Sequence, residues 1–297
     1  MPSDIETFES YRPLLFSIAY RMLGSAMDAE DIVQETYLRY QNANKQDIQS
    51  PKAYLATITT RLCLDYLKSV KTQREDYIGT WLPEPICTDT SPSQIVGNRE
   101  SITIAFLVLL ESLSPIERAI FLLREVFDYS YAEIASVVGK REDNCRQYYQ
   151  RARQFIIERR PRFEPSSATQ EKLVESFLQA LTTGDVVTLK DLLAEDVELY
   201  GDGGGKARAI RHPIVGRDGV VRFLVTGIYR QLPPDIIMGI VNVNVIPAIY
   251  FWQQNRLLCL MTFSMSTSRI EAIHNILNPD KLMYFQRQNS LNRKNDW

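Results

Sequence analysis

The chain has 297 residues, 45% of them hydrophobic and 24% charged, with a formal net charge of −2 at pH 7. That length predicts two or three domains, and the composition is that of an ordinary globular protein. No apolar run reaches membrane-spanning length, MPSDIETFES lacks the features of a secretion signal, and Cys63, Cys87, Cys145 and Cys259 form no C-x-x-C pair. These features argue against a membrane protein, a disulfide framework and a metal site, and they fit a reducing cytoplasm.

The first 160 or so residues read as helices. Leu14, Leu15, Ile18, Ala19, Met22 and Leu23 recur at helical spacing, and Gly24 ends that segment. Asp28 is the expected N-cap of a second helix with Ile32, Val33, Tyr37 and Leu38 on one face. Asp28, Glu30, Asp31 and Glu35 make its start acidic, with no base among them. After the polar stretch QNANKQDIQS, Pro51 opens a third helix marked by Tyr54, Leu55, Ile58, Leu62 and Leu67. From Lys52 to Arg74 it carries Lys52, Arg61, Lys68, Lys71 and Arg74 against Asp65 alone. Lys140 to Arg162 carries eight bases against three acids, and two basic stripes and one acidic stripe in a nearly neutral chain imply separate surfaces for separate partners.

WLPEPICTDTSPSQ, with Pro83, Pro85 and Pro92, then reads as a linker or tethered extended segment. Helical periodicity resumes at Ile95 and runs to about Phe163. Within it Ser114, Pro115 and Glu117 spell a capped helix start, and Ser130 caps a short helix from Tyr131 to Val138. Ile134, Ala135 and Val138 are expected to face inward. Gly139 supplies a left-handed turn, and a further helix begins near Glu142 with Cys145, Tyr149 and Ala152 inside. This is the pattern of a helix-turn-helix. Its outward positions Arg141, Asn144, Arg146, Gln147, Gln150 and Arg151 suit base edges: Arg pairs bidentately with guanine, and Asn or Gln with adenine.

After the break PRFEPSSATQ the texture changes to α+β. Two helical stretches, 170–181 and 186–193, lead into strand-like runs. IVNVNVI alternates as a half-buried strand does, AIYFWQQNRLLCLMTFSM reads as two strands joined at Gln254-Asn255, and RIEAIHNIL as another; a curved antiparallel sheet is the expected core. Between helices and strands lies GDGGGKA. It is no P-loop, because only three residues separate Gly201 from Gly205 and Lys206 is followed by Ala207. Consecutive glycines instead let a backbone pass close to another surface.

The order DAEDIVQETYLR, PKAYLATITTRLCLDYLK, LSPIERAIFLLRE, SYAEIASVVG and QRAR resembles the extracytoplasmic-function sigma factors, small sigma-70-type subunits of bacterial RNA polymerase. The third domain resembles the cone-shaped SnoaL-like α+β folds. WLPEP, DGGGK and NPDKL (Asn278 to Leu282) match a subgroup carrying such an extension. The resemblance implies a multidomain chain: an all-α region 2 domain at 1–76, a linker at 77–97, an all-α region 4 helix-turn-helix domain at 98–163, a SnoaL-like regulatory domain at 168–285 and a polar tail at 286–297. It implies core RNA polymerase, through its β′ coiled coil and β flap, and promoter DNA as partners. By position, Asp28, Asp31, Gln34, Glu35 and Leu38 would contact polymerase. Arg61, Asp65 and Lys68 would meet the −10 element, with the amide-rich loop 41–50 lining a pocket for an unstacked base, and the six outward helix-turn-helix residues would read the −35 element. The family often has Trp where Tyr54 stands, a change that preserves packing.

The glycine loop is then expected to abut the linker and the sigma modules. Trp81 would be an apolar anchor held by Pro83 beside Glu84, and Asp202 and Lys206 would act as polar clamps around Gly203, Gly204 and Gly205. Asn278, Asp280 and Lys281 belong to the same regulatory set. No cofactor and no catalysis are expected. His212 falls in a loop and His274 in the last strand, where a lone histidine is more often structural than turned to a ligand; folds of this shape often hold a pocket, with room for a small-molecule ligand of unspecified chemistry. Two alternatives are a ligand-responsive helix-turn-helix regulator that works without polymerase, and an isomerase or cyclase with a DNA-binding module.

Overall fold

The computed structural model describes residues 4–70, 76–88, 102–159 and 165–292; the expected helix start at Ile95 lies outside them. The chain forms two compact units. The first holds Met1–Glu75, Ser91–Ile102 and Phe106–Arg160, so both helical modules share it. The second holds Asp76–Thr90, Thr103–Ala105 and Pro161–Trp297.

In the first unit α1 (Asp4–Leu23), α2 (Ala26–Gln41) and α3 (Pro51–Ser69) pack against one another. The helical spacing read from the sequence buries Leu15, Ile18, Ala19, Met22 and Leu23 of α1 against Ile32 and Val33 of α2 and Leu55, Leu62 and Leu67 of α3. The cap of α2 is Ser25, whose hydroxyl accepts from the Asp28 amide at 3.1 Å. Asp28 therefore sits inside the first turn, where a carboxylate favours the helix dipole, rather than at the expected N-cap. After α4 (Ile104–Glu111), α5 (Pro115–Glu125) and α6 (Tyr131–Val138) each start with a complete capping box, Ser114 with Glu117 and Ser130 with Glu133. Gly139 turns the chain at φ +65° into α7 (Glu142–Arg159), which buries Cys145, Tyr149, Ala152 and Ile156. The inward pair of α6 is Ile134 and Val137, one turn apart; Ala135 and Val138 are only half-buried. Arg118, 3% exposed, donates to the Met22 carbonyl at 2.6 Å and to Glu111 at 2.7 Å, which ties α5 to the end of α1.

The second unit begins with α8 (Ser167–Thr183) and α9 (Val186–Leu192), then β1 (Leu193–Asp202), β2 (Ile214–Val215) and α10 (Arg217–Phe223). β3 (Ile237–Val243), β4 (Ile246–Gln253), β5 (Arg256–Met265), β6 (Ile270–Ile276) and α11 (Pro279–Asn292) follow. The sheet order is β2-β1-β6-β5-β4-β3. It is mixed rather than antiparallel, because β1 and β6 run parallel. The connection through α10 carries the chain to the far edge, and the meander β3 to β6 returns alongside β1 in the same direction. One face, with Leu199, Ile273, Phe263, Met261, Ile249 and Phe251, packs on Phe177 of α8, Leu189 of α9 and Val220, Val221 and Leu224. The other presents Tyr200, Thr262 and His274 in register, then Asp202, Leu260 and Ile276.

IVNVNVI is not one strand. Asn244 and Val245 adopt φ +52° and +65° and turn β3 into β4, as Gln254 and Asn255 (φ +45° and +62°) turn β4 into β5. Two successive positive-φ residues make the tight hairpin whose twist suits the flanking strands, and a β-branched side chain is strained there. Val245→Gly, which creates the Asn-Gly pair such a turn favours, is expected to stabilise the protein by about 1 kcal/mol; urea denaturation followed by tryptophan fluorescence checks it.

Candidate functional site

On α2, Asp28, Asp31, Gln34, Glu35 and Leu38 fall along one stripe at helical spacing. Asp31 and Gln34 are exposed, and Leu38 is 52% exposed, a large apolar side chain among carboxylates. Arg39 pairs with Glu35 at 2.8 Å on the surface. Behind the stripe, the Thr36 and Thr59 hydroxyls meet at 3.1 Å and fix α2 on α3.

On α3, Arg61, Asp65 and Lys68 are all exposed, four and three residues apart. Lys68 and Asp65 pair at 3.0 Å in solvent, an interaction of little consequence for stability. Arg61 does something else. Its Nε donates to the Val137 carbonyl at 2.9 Å and its Nη2 to the Ser136 carbonyl at 2.8 Å. These are among the last carbonyls of α6, left without helical partners and at the negative end of the helix dipole, so a guanidinium is well placed there. The basic face of α3 is thus joined to the first helix of the helix-turn-helix. In the loop before α3, Asn44 caps the short turn Lys45–Asp47, and the Lys45 ammonium lies over the Tyr40 ring.

All six outward helix-turn-helix residues, Arg141, Asn144, Arg146, Gln147, Gln150 and Arg151, are exposed. Arg146 pairs with Glu142 and lies over the Tyr131 ring, while Arg151 reaches Glu117 at 3.4 Å and lies over Tyr148. Two hydrogen bonds from Ser130, side chain and backbone, hold the Glu133 carboxyl below its usual range and keep that cap ionised.

The second unit grips the linker. Asp202, 0% exposed at the end of β1, accepts from the Tyr77 hydroxyl at 2.5 Å, the Leu82 amide at 2.8 Å and the Lys281 ammonium at 2.6 Å. Lys281 also donates to the Leu82 carbonyl at 2.5 Å and lies over the Trp81 and Tyr77 rings at 4.0 and 4.9 Å. Both backbone polar groups of Leu82 are therefore held by one buried ion pair. Burial, with the hydrogen bond to Asp202 next, pushes the Tyr77 hydroxyl's pKa up, so the phenol keeps its proton and serves as donor. Asn278 donates to the Tyr77 oxygen at 2.9 Å and caps α11 by accepting from the Asp280 amide at 3.1 Å. Lys206 pairs with Asp280 at the surface.

The glycines follow from this geometry. A Cβ on Gly204 would stand 2.2 Å from the Asn278 amide nitrogen and 2.9 Å from the Tyr77 oxygen, and Gly204 and Gly205 have φ +57° and +71°. A Cβ on Gly203 would meet the Ala207 carbonyl at 2.2 Å. The clamp differs from the sequence expectation in two respects. The buried apolar anchor is Leu82, fully covered, with Trp81 half-buried as a platform for the ammonium; and the buried cation is Lys281 rather than Lys206. Pro83 and Glu84 are buried within the strap.

A second anchor was not legible beforehand. Ile86 and Asn244 exchange two bonds at 3.0 Å, Ile86 N to the Asn244 side chain and Asn244 N to the Ile86 carbonyl. Cys87 N donates to Gln288 at 2.8 Å, and Val245 N donates to the Thr88 hydroxyl at 3.1 Å. Residues 86–88 thereby extend the β3 edge, a bridge forming between Cys87 and Val243. The linker also steadies the strained Asn244-Val245 turn.

His274 does not face the side of the sheet that packs on α8 and α9. Its neighbour Ile273 does, and His274 stacks against Tyr200 on the opposite face at 5.4 Å. Burial lowers its pKa to about 4. His212 is exposed.

The chain matches the sigma-70 region 2 family over residues 7–73 and the sigma-70 region 4 family over residues 103–156. It is 39% identical to the ECF RNA polymerase sigma factor SigJ of Mycobacterium tuberculosis over 235 residues, covering 77% of this chain and 75% of SigJ. It is 30% identical to the probable sigma factor SigI of the same species over 93% of both chains. The crystal structure of SigJ superposes with a TM-score of 0.75 at 31% identity, covering 94% of this chain and 98% of that one. The fold and its two DNA-reading modules define a sigma-70-class sigma factor with a C-terminal SnoaL-like domain. The chain belongs to the extracytoplasmic-function sigma factors, which bind core RNA polymerase and promoter DNA. A helix-turn-helix regulator acting without polymerase would leave region 2 without a role, and neither that reading nor an isomerase is favoured. No helix among the described residues is long and apolar enough to cross a membrane.

Gly204→Ala is expected to cost about 2 kcal/mol or more, because its Cβ must displace Asn278 from Tyr77; faster proteolysis between residues 77 and 88 reports it. Ionisation of His274 gives a pH signature. Its folded pKa lies below the unfolded value near 6.5, so the stabilisation is complete above about pH 6.5 and is lost as pH falls towards 4. The loss is roughly 3 kcal/mol, measured by urea denaturation across that range and absent in His274→Phe.

Proposed function

We propose that this sigma factor mounts on the polymerase β′ coiled coil through Asp28, Asp31, Gln34, Glu35 and Leu38 and meets the β flap through region 4. Arg61, Asp65 and Lys68 then read the −10 element, and Arg141, Asn144, Arg146, Gln147, Gln150 and Arg151 read the −35 element. The SnoaL-like unit governs this activity by holding the linker between the two modules. The observation that carries the regulatory part is the buried Asp202–Lys281 pair closed around Leu82.

The mechanism is one of tether length. Seating residues 77–88 takes roughly 40 Å of extended chain out of the connection between α3 and α4. Each module alone makes few phosphate contacts and binds weakly and salt-sensitively, so promoter affinity depends on the effective concentration of one module once the other is bound. That concentration is highest when tether and promoter spacing match. Arg61 must also leave the Ser136 and Val137 carbonyls before it can reach DNA, so the compact form of the first unit is a resting form.

In vitro transcription with core polymerase tests this reading. Full-length protein is compared with the double variant Asp202→Asn, Lys281→Met on promoters whose −10/−35 spacing is lengthened or shortened by a base pair or two. The wild type is expected to show a sharp optimum. The variant is expected to broaden it and to gain severalfold on lengthened spacers. Identical spacing profiles would sink the tether mechanism.

A further inference from the structure

The same glycine loop borders a feature that the clamp does not use. A cleft of about 250 Å³ lies between the linker at Ile78 and Gly79 and the loop through Gly203, Gly205, Arg208 and Arg211. No carboxylate lines it. The nearest acid in sequence, Asp202, is turned away, both oxygens being occupied by Tyr77, Leu82 and Lys281. Lys206 is neutralised by Asp280. Arg208 and Arg211 are exposed at the cleft, and no carboxylate among the described residues pairs with them. Two exposed arginines on a concavity that no carboxylate lines suit an anion: each guanidinium offers a planar fork of donors that matches the oxygens of a phosphate.

The walls narrow the ligand class. Gly79, Gly203 and Gly205 bring peptide groups rather than side chains to the surface, and Gly79 takes φ +87°. The volume is below the roughly 300–1,000 Å³ of pockets that hold drug-sized molecules. A single phosphate with a small substituent against Ile78 fits; a dinucleotide does not.

We propose that this cleft binds a phosphate group through Arg208 and Arg211 and that its occupancy tightens the grip on the linker. One wall is the strap and the other is the loop, so the complete site exists only with the strap seated. Ligand and seated strap then stabilise each other by the same factor. This coupling rests on the clamp's regulatory role; the phosphate site itself does not.

Isothermal titration of the full-length protein with inorganic phosphate and with methyl phosphate, at constant ionic strength in chloride, tests the site. The wild type is expected to bind both. Arg208→Ala, Arg211→Ala together should weaken binding at least tenfold, while Arg222→Ala, an exposed arginine on α10, should not. A short duplex without promoter elements is titrated in parallel: loss of duplex binding alone in the double variant keeps the site and assigns its phosphate to a nucleic-acid backbone. Binding of phosphate and duplex that is indifferent to the double variant overturns the site. Phosphate-dependent protection of residues 77–82 from hydrogen exchange checks the coupling, and its absence beside intact binding removes the coupling alone. A failed spacing test with intact phosphate binding faults the regulatory role and leaves the site.

Discussion

A carboxylate and an ammonium cannot be taken out of water unless nearly all their remaining hydrogen-bonding capacity is met. Asp202 is fully buried and Lys281 nearly so, and what completes them is the linker: the Tyr77 hydroxyl and both backbone groups of Leu82. The pair and the strap therefore need each other. With the strap lifted, an incompletely solvated ion pair would be left; with one ion lost, the other would be stranded. A segment rich in proline, whose rings hold it extended and remove amide donors, is suited to this role because it leaves few backbone groups to satisfy. The second anchor, where residues 86–88 lie along β3, adds sheet-like pairing at the other end of the strap.

The first unit follows a different rule. The side chains we propose to meet polymerase and DNA are exposed and held by single pairs or ring contacts, as for Lys68 with Asp65 or Arg146 over Tyr131. Such contacts are cheap to break, which a surface that must exchange its partners for polymerase and DNA requires. Arg61 is the exception that links the modules, since it caps α6 through two carbonyls. The buried arginines in this unit, Arg21 and Arg118, have structural roles: Arg21 donates to the Ser17 carbonyl within α1, and Arg118 joins α5 to the end of α1. Buried charge organises the scaffold, and exposed charge is what we propose meets the partners.

Much of this was legible in the residues. The capping box at Ser114, the cap at Ser130, the left-handed Gly139 and the Cys145, Tyr149 and Ala152 spacing defined the helix-turn-helix, because caps and periodicity act over four or fewer residues. Ser25 was missed as a cap because Asp28, equally suited by type, lies three residues on. IVNVNVI was misread because alternation cannot tell a strand from a hairpin when the turn carries a valine in place of glycine. Residue spacing argues against a P-loop at the glycine loop but does not show its contacts, because Tyr77, Leu82 and Lys281 lie 125, 120 and 79 residues from Asp202.

The sequence by itself determined most of the elements, the charged stripes and the class of protein, since each is written in local spacing, capping chemistry and short motifs. Only the tertiary structure decided that β6 lies parallel to β1, that His274 faces away from α8 and α9, and that Lys281 rather than Lys206 closes on Asp202. Those outcomes depend on which face of a strand or helix meets which distant segment, and on desolvation that exists only once the segments are packed. A lysine's pattern in sequence is the same whether its ammonium ends in water or over a tryptophan ring.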